Sequence, residues 1–263
     1  MSVRPPDWQL PLGVTPALWE YLHQPEVAGR YDAYLQGSDV IAVDGPFLAR
    51  HFHAGQTVLD LGCGTGRTLT QLAHMGCRVI GLDLSTPMLQ KASQAMANQP
   101  HAIGLVQANL VDLGCIETAS VDGVVCLFST LGLIHPHQAR QQVLNEAYRV
   151  LKPKGRFVLH AHSRTYNVWI RQTRGWWLRD LGRSWLAKGY EAGNWVMPHF
   201  HGVSGLIMHL FTPREVSRML QQAHFRLTDW QWLGLGPSGC LRHSWFLPGL
   251  RAHGFLIAAE KFA

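Results

Sequence analysis

Paired cysteines and long apolar runs are both scarce in this chain of 263 residues. The five cysteines, Cys63, Cys77, Cys115, Cys126 and Cys240, are odd in number, scattered and free of any CxxC spacing. That pattern argues against a disulfide framework and against a zinc knuckle, and fits a reducing compartment, so we expect a cytoplasmic protein. No stretch of about 18 uncharged apolar residues occurs, and the opening MSVRPPDWQLPLGV holds no sustained apolar segment. Neither stable membrane insertion nor a signal peptide is expected. Internal repeats and low-complexity tracts are absent as well.

The 47% of hydrophobic residues is enough for a full core. Apolar runs suited to doubly covered strands occur at Thr57 to Leu61, Arg78 to Leu82, Ile103 to Gln107, Gly123 to Leu127, Arg156 to His160, Arg226 to Trp232 and Gly254 to Glu260. Helical patterns fall between them. Pro16 to about Phe52 reads as helical. Pro136 to Leu151 carries Val143, Leu144, Ala147, Val150 and Leu151 on one stripe. Thr212, Pro213 and Glu215 have the spacing of a capping box. Alternating strands and helices predict an α/β, Rossmann-like doubly wound sheet, with ligands at the carboxyl ends of the strands. The expected layout is an N-terminal helical cap over 1–56 and an α/β domain over 57–263. An insertion over 163–210 interrupts that domain; its Trp169, Trp176, Trp177, Trp185 and Trp195 are half of the protein's tryptophans.

At the first such carboxyl end stands VLDLGCGTG, Val58 to Gly66. Gly62, Gly64 and Gly66 let the backbone turn tightly and approach a ligand, and the helix that follows favours an anionic group. The third glycine of a dinucleotide fingerprint would stand at position 67, where this chain has arginine, and no GK[ST] follows the glycines. The spacing therefore disfavours nicotinamide dinucleotides and excludes a P-loop. Asp83, in VIGLDLS, ends the second strand, where a carboxylate accepts hydrogen bonds from vicinal ribose hydroxyls. Asn109 ends the third, with an amide oxygen suited to an adenine amino group.

In order and spacing, VLDLGCGTG, GLDLS, ANL, DGVVCLF and AYRVLKPKGRFVLHAH resemble the motifs of the class I S-adenosylmethionine-dependent methyltransferases, UbiE-like and of the type 11 domain. The likeness runs from about Tyr31 to Lys261. The resemblance implies a seven-stranded sheet with an antiparallel last strand and S-adenosyl-L-methionine as cofactor. It also implies that Asp60 and the loop of Gly62, Cys63, Gly64 and Gly66 hold the methionine part. Asp83 would take the ribose, Leu84 and Met88 the adenine ring, Asn109 and Leu110 its edge. Leu127 would close the fourth motif and Tyr31 would cap the cofactor. Asn109 stands where the family usually has Asp, and Lys154 where it has Gly.

Methyl transfer from a sulfonium is chiefly a matter of alignment and water exclusion, so a base is optional. Where one is used, histidine suits it near neutral pH. Of the 15 histidines, His135, His137, His160 and His162 follow the fourth and fifth strands, and His135 and His162 are our catalytic candidates. His199, His201 and His209 flank the insertion. No metal site is expected, because pairs at i, i+2 lack supporting carboxylate spacing. The insertion carries six basic against two acidic residues between Ser163 and Gly205. It reads as a lid over a small substrate, as a nucleic-acid platform, or as a partner or membrane-surface patch. A small or medium-sized organic acceptor is the leading expectation. RNA is the alternative partner, because HLFTPREVSRMLQQAHFR resembles methyltransferases of tRNA wobble uridines. A non-catalytic cofactor-binding protein is a third reading. No oligomeric state follows from the residues.

Overall fold

The computed structural model describes residues 5–36, 42–97, 99, 102–200, 202–236 and 238–262. His201 and residues 37–41 of the expected helical cap lie outside that set. Within the set the cap comprises α1 (Pro16–His23), α2 (Pro25–Gln36) and α3 (Asp44–His51). The alternating part follows as β1 (Thr57–Leu61), α4 (Arg67–His74), β2 (Arg78–Asp83), α5 (Thr86–Met96), β3 (Ala102–Gln107), β4 (Val121–Cys126), α6 (His137–Val150) and β5 (Leu151–His162). Strand order is β3-β2-β1-β4-β5 and then two later strands, β9 (Gly254–Lys261) and β8 (Phe225–Leu233), with α8 (Pro213–Gln222) ahead of β8. The first five strands run parallel, and β9 is antiparallel to both β5 and β8. The sheet therefore has the seven strands and reversed last strand expected from the sequence.

Side chains alternate across β1: Leu59 and Leu61 join the α6 and α8 face, and Val58 joins the α3 and α4 face. Burial on both faces is why these strands read as nearly continuous apolar runs. The expected capping box is present, with Thr212 Oγ1 accepting from Glu215 N and Glu215 Oε2 accepting from Thr212 N. Thr15 and Ser85 cap α1 and α5 with the side-chain bond alone, accepting from Leu18 N and Met88 N.

Three differences from the expected elements matter. β5 starts at Leu151, which pairs with Val121; the register then shifts until Arg156 pairs with Gly123, so Lys152 to Gly155 bulge out of the sheet. The insertion is ordered into α7 (Arg174–Leu186) and an antiparallel ribbon of β6 (Asn194–Met197) and β7 (Leu206–His209). The loop before β9 contains a single helical turn, α9 (Pro248–Arg251). The chain leaves β1 to one side, through β2 and β3, and β4 to the other. The crevice between the carboxyl ends of β1 and β4 is thus the topological switch point.

Candidate active site

Two adjoining clefts open at that crevice. The larger, with about 660 Å³ of empty volume, is bordered by Gly62 and Gly64, by Asp83, Leu84 and Met88, by Asn109 and Leu110, and by Thr130, Leu133 and Ile134. The smaller, of about 360 Å³, lies over the glycine loop and reaches Asp60, Arg67, Leu127 and Phe128. Tyr31, Gly62, Gly64 and Thr130 line both.

The glycines have separate reasons for being glycine. Gly62 sits at φ 76°, and a Cβ there would fall 2.4 Å from Thr130 Cγ2. Gly64, at φ 54°, lies under the Tyr31 ring, with Cε1 3.6 Å from where a Cβ would be. Gly66 lines neither cleft; its left-handed backbone starts α4, and a Cβ would press on the Ala92 backbone at 3.2 Å.

Asp83 ties the loop to the next strand. Its Oδ2 accepts from Gly64 N at 2.9 Å and its Oδ1 from Ser85 N at 2.8 Å. Burial pushes the carboxyl above its ordinary range, against the pull of the backbone N–H groups of Ser85, Gly64 and Leu84. Each oxygen keeps a lone pair for a further donor. Asn109 also borders the larger cleft, with its amide partly committed: Nδ2 donates to Leu12 O at 2.8 Å and Oδ1 accepts from Val111 N at 3.2 Å. Leu84, Met88 and Leu110 supply apolar wall.

Asp60 is buried at the end of β1, and its Oδ2 has no hydrogen-bond partner among the described residues. Burial pushes its carboxyl up to about 7, the charges of Asp83 and Asp44 add to that, and Arg67 opposes it. Arg67 borders the same cleft, gives Nη2 to Asp44 Oδ2 at 2.8 Å and leaves Nη1 unpartnered among the described residues. Sequence reasoning used Arg67 only to exclude a dinucleotide motif and missed both it and Asp44. A lone basic residue at a helix start gives no signal until α3 brings an acid to it. The α1 wall of the larger cleft, Leu18, Tyr21 and Leu22, was missed for a similar reason; Ser85 Oγ, donating to Leu22 O at 2.6 Å, is the contact that docks it. Cys63 lends its backbone to the loop, while its thiol packs in the core against Gly81, where burial pushes its pKa up and leaves it unreactive.

The two candidate histidines have different surroundings. His162, at the end of β5, stands beside Phe128, ring centroids 6.0 Å apart, and stacks on His160 at 5.3 Å. Its backbone N–H donates to Ser129 Oγ at 2.7 Å, and the same hydroxyl meets its Nδ1. Burial, with His253 and His160 close by, holds the His162 ring well below its usual pKa and hence neutral. Phe128 and Ser129 both have positive φ, 53° and 59°, which turns the chain sharply out of β4. Neither His162 nor His135 borders either cleft; the Nε2 of His135 donates to Ile207 O at 3.3 Å, and burial with Arg140 nearby lowers its pKa to about 4. Among the described residues no group of three or more His, Cys, Asp or Glu is arranged to hold a metal ion.

Comparison with known proteins extends the likeness beyond the site. A family model described as a methyltransferase domain matches residues 58–155. The demethylmenaquinone methyltransferase of Symbiobacterium thermophilum is 32% identical over 208 residues, 72% of this chain and 76% of that protein. Among solved structures, an S-adenosylmethionine-dependent methyltransferase of Methanosarcina mazei superposes with TM-score 0.66 at 22% identity, covering 82% of this chain and 97% of that one. The 1,6-didemethyltoxoflavin-N1-methyltransferase of Burkholderia thailandensis, solved with its acceptor and S-adenosylhomocysteine, gives 0.64 at 19% identity, covering 97% and 93%. The two structural matches speak for the fold. The Symbiobacterium protein, alike in sequence across most of both chains, speaks for kinship, and this chain belongs to the class I S-adenosylmethionine-dependent methyltransferases.

Proposed function

We propose that this enzyme methylates a small or medium-sized organic acceptor, with the glycine end of the crevice holding the amino-acid tail of S-adenosylmethionine and the Asp83 end its nucleoside. The observation that carries the reading is the pair of unpartnered buried atoms of opposite charge type, Asp60 Oδ2 and Arg67 Nη1, on residues bordering one cleft. Such a pair complements an ammonium and a carboxylate. Asp83 would accept from the ribose hydroxyls, Leu84, Met88 and Leu110 would enclose the base, Asn109 would meet its edge, and Tyr31 and Leu127 would close over the centre. When bound, the cofactor supplies an electrophilic methyl group; the chain's own work is to align the acceptor and keep water out.

The insertion acts as the lid in this reading. Met197, Val203 and Leu206 share one apolar cluster with Val14, Leu18, Tyr21 and Met88, so ribbon and cap cover the nucleoside end together. The relatives named for demethylmenaquinone and 1,6-didemethyltoxoflavin support an organic acceptor over RNA, and no observation favours a cofactor-binding protein without catalysis. The five cysteines, all free, support a reducing, cytoplasmic setting.

His162 is our candidate for contact with the acceptor. We assign the Ser129 hydroxyl as donor to Nδ1, which leaves the ring proton on Nε2; in this reading neutral His162, beside the Phe128 that borders the smaller cleft, orients the acceptor as a hydrogen-bond donor. His135 serves instead as a strut that holds β7 through Ile207 O. Replacing His162 with Phe is expected to lower the methyl-transfer rate about 100-fold on an acceptor found by screening, with S-adenosylhomocysteine affinity unchanged. Full activity in that variant would remove His162 from the site.

A further inference from the structure

Helix α7 is built inside out. At about 100° per residue, Leu178, Trp185 and Leu186 fall on one side of the helix and Asp180 on the opposite side. Asp180 is the anchored side: Oδ2 accepts from Arg164 Nε at 2.6 Å, and Oδ1 accepts from Tyr190 Oη at 2.9 Å and from Gly193 N at 3.0 Å. The apolar stripe is therefore held outward, with Trp185 85% and Leu186 88% exposed. Arg174 and Arg179 flank it on the wheel and are themselves exposed.

A second exposed apolar element lies across the turn at Thr165–Val168, on which both α7 and α9 pack. Here Trp245 is 80% exposed, followed by the exposed Phe246 and Leu247. Arg251 clasps this loop, donating to the carbonyls of His243 at 3.0 Å, Phe246 at 2.9 Å and Arg242 at 2.9 Å. Trp169, exposed at the end of the Thr165–Val168 turn, ties that turn to α9 by donating Nε1 to Leu250 O at 2.7 Å. Both acids of the insertion are engaged from within, Asp180 by Arg164 and Glu191 by Arg140. Arg171, Arg174, Arg179, Arg183 and Lys188 are exposed and form no ion pair among the described residues.

We propose that this face docks on the surface of an anionic phospholipid bilayer. Trp185, Leu186, Trp245 and Leu247 enter the boundary between headgroups and acyl chains, and the arginines meet lipid phosphates. Charge selects this occupant. A second copy of the chain would bring like arginines together across a two-fold axis, and an RNA would stack on the tryptophans but gain nothing from the exposed leucines. No helix among the described residues is long and apolar enough to cross a membrane, so the attachment is peripheral. The proposal is independent of which acceptor is methylated.

Flotation of the full chain with vesicles tests it. Vesicles of phosphatidylcholine with a third phosphatidylglycerol should bind the protein at least about tenfold more tightly than phosphatidylcholine alone, and raised salt should weaken that binding. Arg174→Gln with Arg179→Gln should erase the preference for anionic vesicles, and Trp185→Ser with Trp245→Ser should weaken binding about tenfold or more. Both double variants should melt as the parent does and keep its stabilisation by S-adenosylhomocysteine. Should the tryptophan variant melt early, the arginine variant alone decides. Equal binding to both kinds of vesicle, or binding that survives both double variants, overturns the proposal. So does an unbound protein whose self-association or affinity for single-stranded RNA is lost in those variants.

Discussion

Asp60 and Cys63 show at the scale of single residues what burial does to groups the sequence presents as reactive. Cys63 lies in the glycine loop, yet its thiol points into the core and is kept protonated by desolvation, then by the charges of Asp60 and Asp83. Asp60 is held at about 7 for the same first reason. An acid whose folded pKa exceeds its unfolded value binds its proton more tightly in the fold. Its contribution to stability is then complete at low pH and is lost as pH rises from the unfolded value, about 3.8, through about 7. Asp60→Asn, which mimics the protonated form, should therefore gain several degrees in melting temperature relative to the parent between about pH 4 and about pH 8, read in the cofactor-free protein. A difference independent of pH would place the Asp60 pKa at its ordinary value. The placement of Gly62, Gly64 and Asp83 on the cleft was legible because each stands at a strand end whose motif reads along the chain. That of Arg67 was not, because its partner Asp44 arrives from another helix.

At the scale of elements, the turn from α6 into β5 stores a local cost. Lys154 adopts φ 64° inside the bulge of Lys152 to Gly155, a conformation that costs a side chain about 1 kcal/mol and glycine almost nothing. Lys154→Gly is expected to stabilise the fold by up to about 0.5 kcal/mol, once the greater freedom of glycine in the unfolded chain offsets part of that cost, seen as a slightly higher urea midpoint with an unchanged slope. An unchanged or lower midpoint would mean that the lysine side chain offsets its backbone. The central strands, α6 and the capped α8 were all legible, since each buries a face whose period appears in the sequence. The insertion was not. In α7 the apolar residues Leu178, Trp185 and Leu186 face solvent, so the segment offers no buried stripe to read, and β6 and β7 span four residues each, too few to establish an alternation.

On the scale of the whole molecule, the site is assembled by layers that do not meet along the chain. The sheet brings the ends of β1, β2 and β4 to one crevice, and α1 and the β6–β7 ribbon share an apolar cluster with Met88 beside it. Buried ion pairs tie the insertion down: Arg140, fully buried in α6, donates to Ile134 O at 2.8 Å and pairs with Glu191 next to the ribbon. The doubly wound sheet, and a cleft at the carboxyl ends of its strands, were legible from the alternation of elements. A helical cap and a lid were both expected; how they are tied to the sheet was not legible, because a charge such as Arg140 reads as surface until tertiary contacts remove it from water. The central claim is that Asp83 grips the ribose of S-adenosylmethionine at this rim. Calorimetric titration of S-adenosylhomocysteine into the parent and into Asp83→Asn tests it most directly, with NAD as the control ligand. The account predicts one-to-one binding, no response to NAD, and a loss of at least about tenfold in affinity in the variant, the scale of a hydrogen bond to a charged acceptor. Equal affinity in the two proteins, or binding of NAD in place of S-adenosylhomocysteine, would contradict it.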